Sequence, residues 1–262
     1  GFGSVGESIG GIRYLTGYPD RPPTRVGISL GDSLASLYAV ISSMMAIYNR
    51  DIVGTNEGQY IDVALYEAVF SLMESMVPEF DYYKYIRERS GSSLPGIVPS
   101  NTYECKDGKY IVIGGNNDSI FKRLMTAIGR EEIGEDPNFA SNDLRAKQPE
   151  FLDGIITEWT LKHDMKEAQE ILDRYDVPNG PIYSIDDIMK DVHFQARDMI
   201  KEVEVEDLGN LKMPGIVPKF SETPGKIKWP GPKLGEHNDD VYKGILKMSE
   251  EEMNKLKDDE II

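Results

Sequence analysis

The sequence predicts an α/β protein in two parts: a large, mostly helical portion, then a small unit built from a β-hairpin and helices. Three observations carry that expectation. Two long apolar stretches, LASLYAVISSMMAIY (34–48) and YIDVALYEAVFSLMESMV (60–77), have the length and composition of helices. TYECKDGKYIVI (102–113) places two short runs rich in aromatic and β-branched residues around a Lys-Asp-Gly turn, which reads as a hairpin. Beyond it, three segments repeat apolar residues at helical spacing.

In chain order, residues 1–24 are rich in Gly, Pro and Arg and read as loop with a short helix from about Glu7 to Leu15. Arg25 to Leu30 is extended and leads into the helix over 34–48, with Asp32 or Ser33 as its N-cap. This helix reads as the most buried of the chain. GTNEGQ (54–59) is a turn, and the helix over 60–77 should pack on the one before it. RSGSSLPGIVPSN (89–101) has too little apolar content for an element and reads as loop. A helix then starts at Asp118 or Ser119, carries Phe121, Leu124, Met125 and Ile128 on one face, and stops at Gly129. Leu152, Ile155, Ile156 and Trp159 mark a second such helix; Met165, Ala168, Leu172 and Tyr175 mark a third. VPNGPIYSIDDIM (177–189) is a break followed by a short helix. The last 60 residues alternate short strands such as MIKEVEVE with Pro-rich connections and end in the polar helix SEEEMNKLKDD. The domain boundaries expected are 1–96, 97–185 and 186–262, the last an extended tail.

Composition narrows the function. Of 262 residues, 29 are basic and 45 acidic, a net charge of −16, which argues against a nucleic-acid surface because that affinity comes from cations on phosphates. An anionic ligand must then be met by local basic groups. Arg13, Arg21 and Arg25 form one such stretch, read as solvated surface with a phosphate contact as the alternative. The single cysteine, Cys105, excludes an intramolecular disulfide and fits a reducing cytoplasm. No segment has a signal-peptide layout, and 34–48 falls short of a membrane span, so no membrane partner is expected. The chain opens on Gly-Phe-Gly without Met, which suggests a fragment or processed product.

Few residues carry chemistry. GFGSVG (1–6) matches Gly-x-Gly-x-x-Gly, but a dinucleotide site needs a preceding strand, and the kinase version needs downstream motifs that the chain lacks. His163, His193 and His237 are far apart and have no paired-ligand spacing, so no metal is expected; His237 reads as structural, near a helix start. Asp32 stands out. As a cap it would be unremarkable, yet a helix N-terminus favours negative charge by about 0.3–1 kcal/mol, and such a carboxylate stays ionised when partly desolvated. An ionised, weakly solvated carboxylate is a nucleophile. Gly31 beside it leaves room for a substrate to approach the backbone. The Gly/Ser stretch 90–96 is either a linker or a mobile cover over a reactive intermediate.

These residues have a family likeness. TGYPDRPPTRVGISLGDSLASLYAVISSMMAIYNR with GTNEGQYIDVALYEA, PSNTYECKDGKYIVIGGNNDSIFKRL, DPNFASNDLRAK, VPNGPIYSIDDI and LGEHNDDV together resemble the class III (CaiB/BaiF-type) coenzyme A transferases, in the family's order and over essentially the whole chain. The resemblance implies an acyl-CoA:carboxylate CoA-transferase, with the CoA thioester as substrate and no permanently bound cofactor. Asp32 falls on the aspartate nucleophile, which passes through a mixed anhydride and an aspartyl-CoA thioester. Gly91, Ser92, Ser93 and Gly96 fall on a glycine-rich closing loop, with fewer glycines than the family pattern. Phe2 stands where an aromatic flanks the acyl group. Family members carry a preceding nucleotide-fold portion, and the resemblance implies that the tail over 186–262 returns to the large domain and that two chains interlock as a homodimer. The large-domain helices should therefore expose apolar surface. The α-methylacyl-CoA racemases of the same superfamily use a His and a Glu where this chain has Phe2 and Asn117, neither able to move a proton at neutral pH. A non-catalytic piece needing a separate N-terminal partner is the remaining alternative.

Overall fold

A computed structural model describes residues 1–206 and 208–262, in two units, Gly1–Ile182 and Tyr183–Ile262. The first unit opens with two short helices, α1 (Gly3–Ile9) and α2 (Ile12–Leu15), where the sequence suggested one. Gly11 separates them with φ of +98°, a left-handed conformation that glycine adopts without a Cβ penalty. Gly3, Gly6 and Gly10 share a face of α1, spaced for one side of a helix. A Cβ on Gly6 would lie 2.9 Å from Leu65 Cβ, and one on Gly10 would lie 2.7 Å from Val69 Cβ. The GFGSVG pattern is thus part of a close-packing glycine stripe.

The helix α3 (Leu30–Asp51) spans 22 residues, extending at both ends beyond the expected 34–48. With a mean hydropathy of 1.4 it is long and apolar enough, by length and composition alone, to cross a bilayer, so the length argument against a span does not hold. Its packing in the chain is on α1 and on α4 (Leu65–Phe70). Along α3 only Gly31 is buried, which corrects its reading as the most buried helix. Leu37, Val40, Ile41, Met44, Met45 and Tyr48 are all exposed. An apolar composition specifies what surroundings a helix needs and not which chain supplies them.

The helix expected over 60–77 is shorter and broken. Residues 60–64 are extended, α4 follows, and α5 (Met76–Tyr83) begins after a turn with Glu74 at φ +46°. Ser71 helps end α4: its hydroxyl lies 2.8 Å from the Ala68 carbonyl oxygen and 2.8 Å from the Tyr38 hydroxyl of α3, a local bond that competes with the helical ladder. The expected packing of the two apolar segments holds through α3 and α4.

The extended core lies between Val98 and Val177. β1 (Ser100–Glu104) and β2 (Tyr110–Gly114) form the expected hairpin, antiparallel with Glu104 opposite Tyr110. A third strand, β3 (Asn179–Pro181), pairs antiparallel with β2 where the sequence suggested only a break. Around this sheet are α6 (Asp118–Ala127), α7 (Glu131–Gly134), α8 (Asn142–Arg145), α9 (Pro149–Thr160) and α10 (Met165–Arg174). Ile111 and Ile113 from β2 meet Phe121, Leu124 and Met125 of α6, Leu152 and Ile156 of α9, and Ala168 and Leu172 of α10. Tyr175 follows the end of α10 and stays exposed.

Arg145 ties the loops of this unit together. Its side chain is fully buried, and its guanidinium donates to the carbonyls of Val98 (3.0 Å), Phe139 (2.9 Å) and Asn116 (2.5 Å) and to the Asp118 carboxylate (2.8 Å). It also lies 4.7 Å from the Phe121 ring centroid.

In the second unit, α11 (Ile185–Lys190) starts with a capping box made by Ser184 and Asp187, and α12 (Val192–Ala196) follows. β4 (Ile200–Val205) and β5 (Gly209–Pro214) pair antiparallel. A π-helical turn over Asp239–Ile245 precedes α13 (Glu250–Asp258), capped by a Ser249–Glu252 box.

Candidate active site

Asp32 is the third residue of α3, in the first turn, and Ser29 is the N-cap. The expectation that Asp32 or Ser33 caps the helix is corrected: the helix starts earlier, and the Asp32 side chain makes no hydrogen bond among the described residues. Its carboxylate is therefore not consumed by capping. It faces solvent from a turn whose backbone N–H groups favour negative charge.

Gly3 forms the wall behind it. A Cβ on Gly3 would lie 2.0 Å from Asp32 Oδ2 and 2.7 Å from Cγ, so the carboxylate rests on the bare backbone of α1. Gly31 is buried in the same contact. A Cβ there would meet Glu7 Cγ at 3.3 Å and the Gly3 carbonyl oxygen at 3.4 Å. Gly31, expected to leave room for a substrate, packs at the α1–α3 junction. Phe2 is the N-cap of α1, immediately before Gly3, and is 81% exposed.

Glu7, which the sequence reading passed over, is only 2% exposed. Its Oε1 accepts from the Gly31 N–H at 3.2 Å, and its Oε2 lies 3.6 Å from Arg13 Nη2. The Arg13 pair departs from its reading as solvated surface, while Arg21 and Arg25 are exposed. A glutamate in a glycine-rich segment gives no sequence signal of burial; only the glycine spacing, which packs α1 closely on α4 and, at Gly3, against Asp32, hints at it.

The Gly/Ser loop is held at both ends. Gly91 has φ +66°, donates its N–H to the Gly17 carbonyl at 3.0 Å, and packs so closely on Tyr18 that a Cβ would lie 2.5 Å from the ring. The Ser92 hydroxyl donates to Asn101 Oδ1 at 2.6 Å, and that of Ser93 to the Ser90 carbonyl at 2.8 Å. Gly96 has φ +76° and accepts from Asn142 Nδ2 at 2.8 Å. Among the described residues, no hydrogen bond or ion pair joins this loop to Asp32.

Other titratable candidates are occupied. His163 lies on the Trp159 ring with centroids 4.6 Å apart, and His237 Nδ1 lies 3.3 Å from an Asp240 carboxylate oxygen. Burial, with Asp107, Asp164 and Glu104 nearby, pushes the Cys105 thiol up to about 11, which keeps it protonated and unreactive. Asn117 caps α6, accepting from the Ser119 N–H at 3.0 Å. The described residues contain no cluster of three or more His, Cys, Asp or Glu side chains suited to a metal.

Known proteins resemble this chain over most of its length. It is 45% identical, across all 262 residues, to succinyl-CoA–D-citramalate CoA-transferase of Chloroflexus aurantiacus, and covers 65% of that protein. It is 37% identical to the beta subunit of succinyl-CoA–L-malate CoA-transferase from the same organism, again covering all of this chain and 65% of the relative. The chain thus spans about two-thirds of the length of these relatives. A CaiB/BaiF family protein from Brucella suis superposes with a TM-score of 0.79 at 29% identity, over 93% of this chain and 62% of that one. The model of CoA-transferase family III matches residues 1–238, and the chain belongs to that family.

Proposed function

We propose that the protein moves coenzyme A from an acyl-CoA donor to a carboxylic acid acceptor, with Asp32 as the nucleophile. The observation that carries this reading is an unpaired carboxylate in the first turn of α3, seated on bare glycine backbone, in a chain of this family. Asp32 attacks the thioester carbonyl carbon; the C–S bond breaks, leaving a mixed anhydride and CoA thiolate. The thiolate then attacks the Asp32 acyl carbon and expels the donor acid, leaving an aspartyl-CoA thioester. The acceptor carboxylate attacks that thioester carbon, releasing thiolate and forming a second anhydride. Attack of the thiolate on the acceptor's acyl carbon yields the new acyl-CoA and restores the Asp32 carboxylate. Each step keeps an activated acyl bond, so admitted water would waste it. Gly91, Ser92, Ser93 and Gly96 form the cover in this reading, and Phe2 flanks the acyl group.

The names of the two Chloroflexus relatives support succinyl-CoA as donor and a short hydroxydicarboxylate as acceptor. The CoA thioester is substrate, with no resident cofactor. Racemisation is disfavoured because Phe2 carries no proton and Asn117 is engaged as a cap. We further propose an interlocked homodimer, for which the exposed apolar face of α3 is available surface, and a cytoplasmic location.

The test is incubation of the full-length protein with succinyl-CoA, trapping with hydroxylamine, and peptide mapping by mass spectrometry. A hydroxamate on Asp32 is the expected product; well-folded protein without one refutes the mechanism. A second prediction follows from the wall behind the nucleophile. Gly3→Ala should lower kcat about 10²-fold, since displacing a reacting group by an ångström has that order of effect. Stability should change by less than about 1 kcal/mol, because the obstructed group is an exposed side chain end free to swing away. Steady-state assays and thermal melts on the same preparation check both.

A further inference from the structure

We propose that Glu7 is a positioning residue for the nucleophile, holding the first turn of α3 so that Asp32 keeps its seat on Gly3. This rests on Asp32 being the nucleophile. The Gly31 N–H belongs to the helix's first turn, where backbone donors have no intrahelical acceptor. Ser29, the N-cap, makes no side-chain capping bond, so the usual local solution is missing. Glu7 supplies the acceptor from another helix, at 3.2 Å and in a buried setting. Its charge is offset by Arg13, whose Nη2 lies 3.6 Å away and, like its Nε, has no hydrogen-bond partner among the described residues.

The geometry couples this bond directly to Asp32. Gly31 and Asp32 are consecutive, Glu7 Cγ and the Gly3 carbonyl both press on Gly31, and Gly3 itself supports the Asp32 carboxylate. One short stretch of α1 thus holds the backbone of residue 31 with a carboxylate and the side chain of residue 32 with a bare Cα. Burying the Glu7 carboxylate to fix one N–H is costly, and the partly exposed Arg13 guanidinium offsets only part of that cost. What the carboxylate adds over a serine cap is a fixed distance between the two helices.

The test compares the full-length wild type with Glu7→Ala, Glu7→Gln and Glu7→Asp. Rapid mixing with succinyl-CoA is followed by intact-mass detection of the enzyme-CoA adduct and by steady-state kinetics. Glu7→Ala should slow adduct formation and kcat by about 30- to 100-fold while KM for the acyl-CoA stays within about 3-fold, because the loss is of alignment. Glu7→Gln keeps an acceptor for Gly31 and should restore the rate to within about 3-fold of wild type. Should Glu7→Ala not fold, Glu7→Asp, which keeps the charge but withdraws the acceptor, should still lose about 10-fold in kcat. Adduct formation at the wild-type rate in folded Glu7→Ala or Glu7→Asp overturns the proposal, as does Glu7→Gln as slow as Glu7→Ala. Absence of any adduct in the wild type removes the reading of Asp32 itself, and this inference with it.

Discussion

Asp32→Asn is expected to abolish CoA transfer, lowering kcat by at least about 10³-fold, the scale on which loss of a nucleophile is felt. The amide is nearly isosteric and leaves the seat on Gly3 occupied, but it cannot form the anhydride. The fold should be unaffected: the side chain is solvent-facing and makes no hydrogen bond among the described residues, so the melting transition should move by no more than the loss of a favourable charge in the first turn, about 0.3–1 kcal/mol. Product acyl-CoA measured by chromatography, together with a thermal melt, separates the two effects. Near-native turnover by Asp32→Asn would reduce Asp32 to a helix-terminal charge and refute the mechanism.

The largest effect on stability is expected at Arg145. Replacing it with Met should cost about 3–5 kcal/mol, because the buried carbonyls of Val98 and Phe139 and the part-buried one of Asn116 lose their donor at once. For a unit of this size that corresponds to a fall in Tm on the order of 10 °C. Arg145→Lys should recover only part of the loss. A single ammonium cannot reproduce the guanidinium's planar fork, which reaches Val98, Phe139, Asn116 and Asp118 together. Urea unfolding followed by circular dichroism measures both; a Met variant within about 1 kcal/mol of wild type would show that the loops hold without it.

The small unit was legible in the sequence where local signals agree. The Lys-Asp-Gly turn and its flanking runs gave the β1–β2 hairpin, and Phe121, Leu124 and Met125 gave the buried face of α6. β3 escaped because three residues, the last of them a proline, cannot express an alternation; their pairing is set by β2 alone. The break after α4 was hidden by an unbroken apolar pattern, since the hydroxyl contact of Ser71 with Tyr38 is tertiary. Asp32 was found because an acid before an apolar helix is visible in one dimension. Glu7 was not, because its meaning depends on a tertiary contact with Gly31 of α3, while the spacing of Gly3, Gly6 and Gly10 encodes mainly a close approach to α4.

The extended hydrophobic cluster lies within residues 98–177, with only isolated buried residues such as Val69 and Met253 outside it, so the resistance of the chain to local unfolding is uneven. Where Ile111, Leu124, Leu152 and Leu172 interlock, the backbone opens only with the loss of the whole cluster. α3 and α5, with most of their apolar side chains in solvent, have little of their own to lose and form the low-stability end of the same chain. Asp32, the proposed nucleophile, therefore stands on the part of the molecule with the least interior of its own. If the proposed dimer covers those helices, their order, and that of Asp32 with them, becomes dependent on protein concentration through mass action.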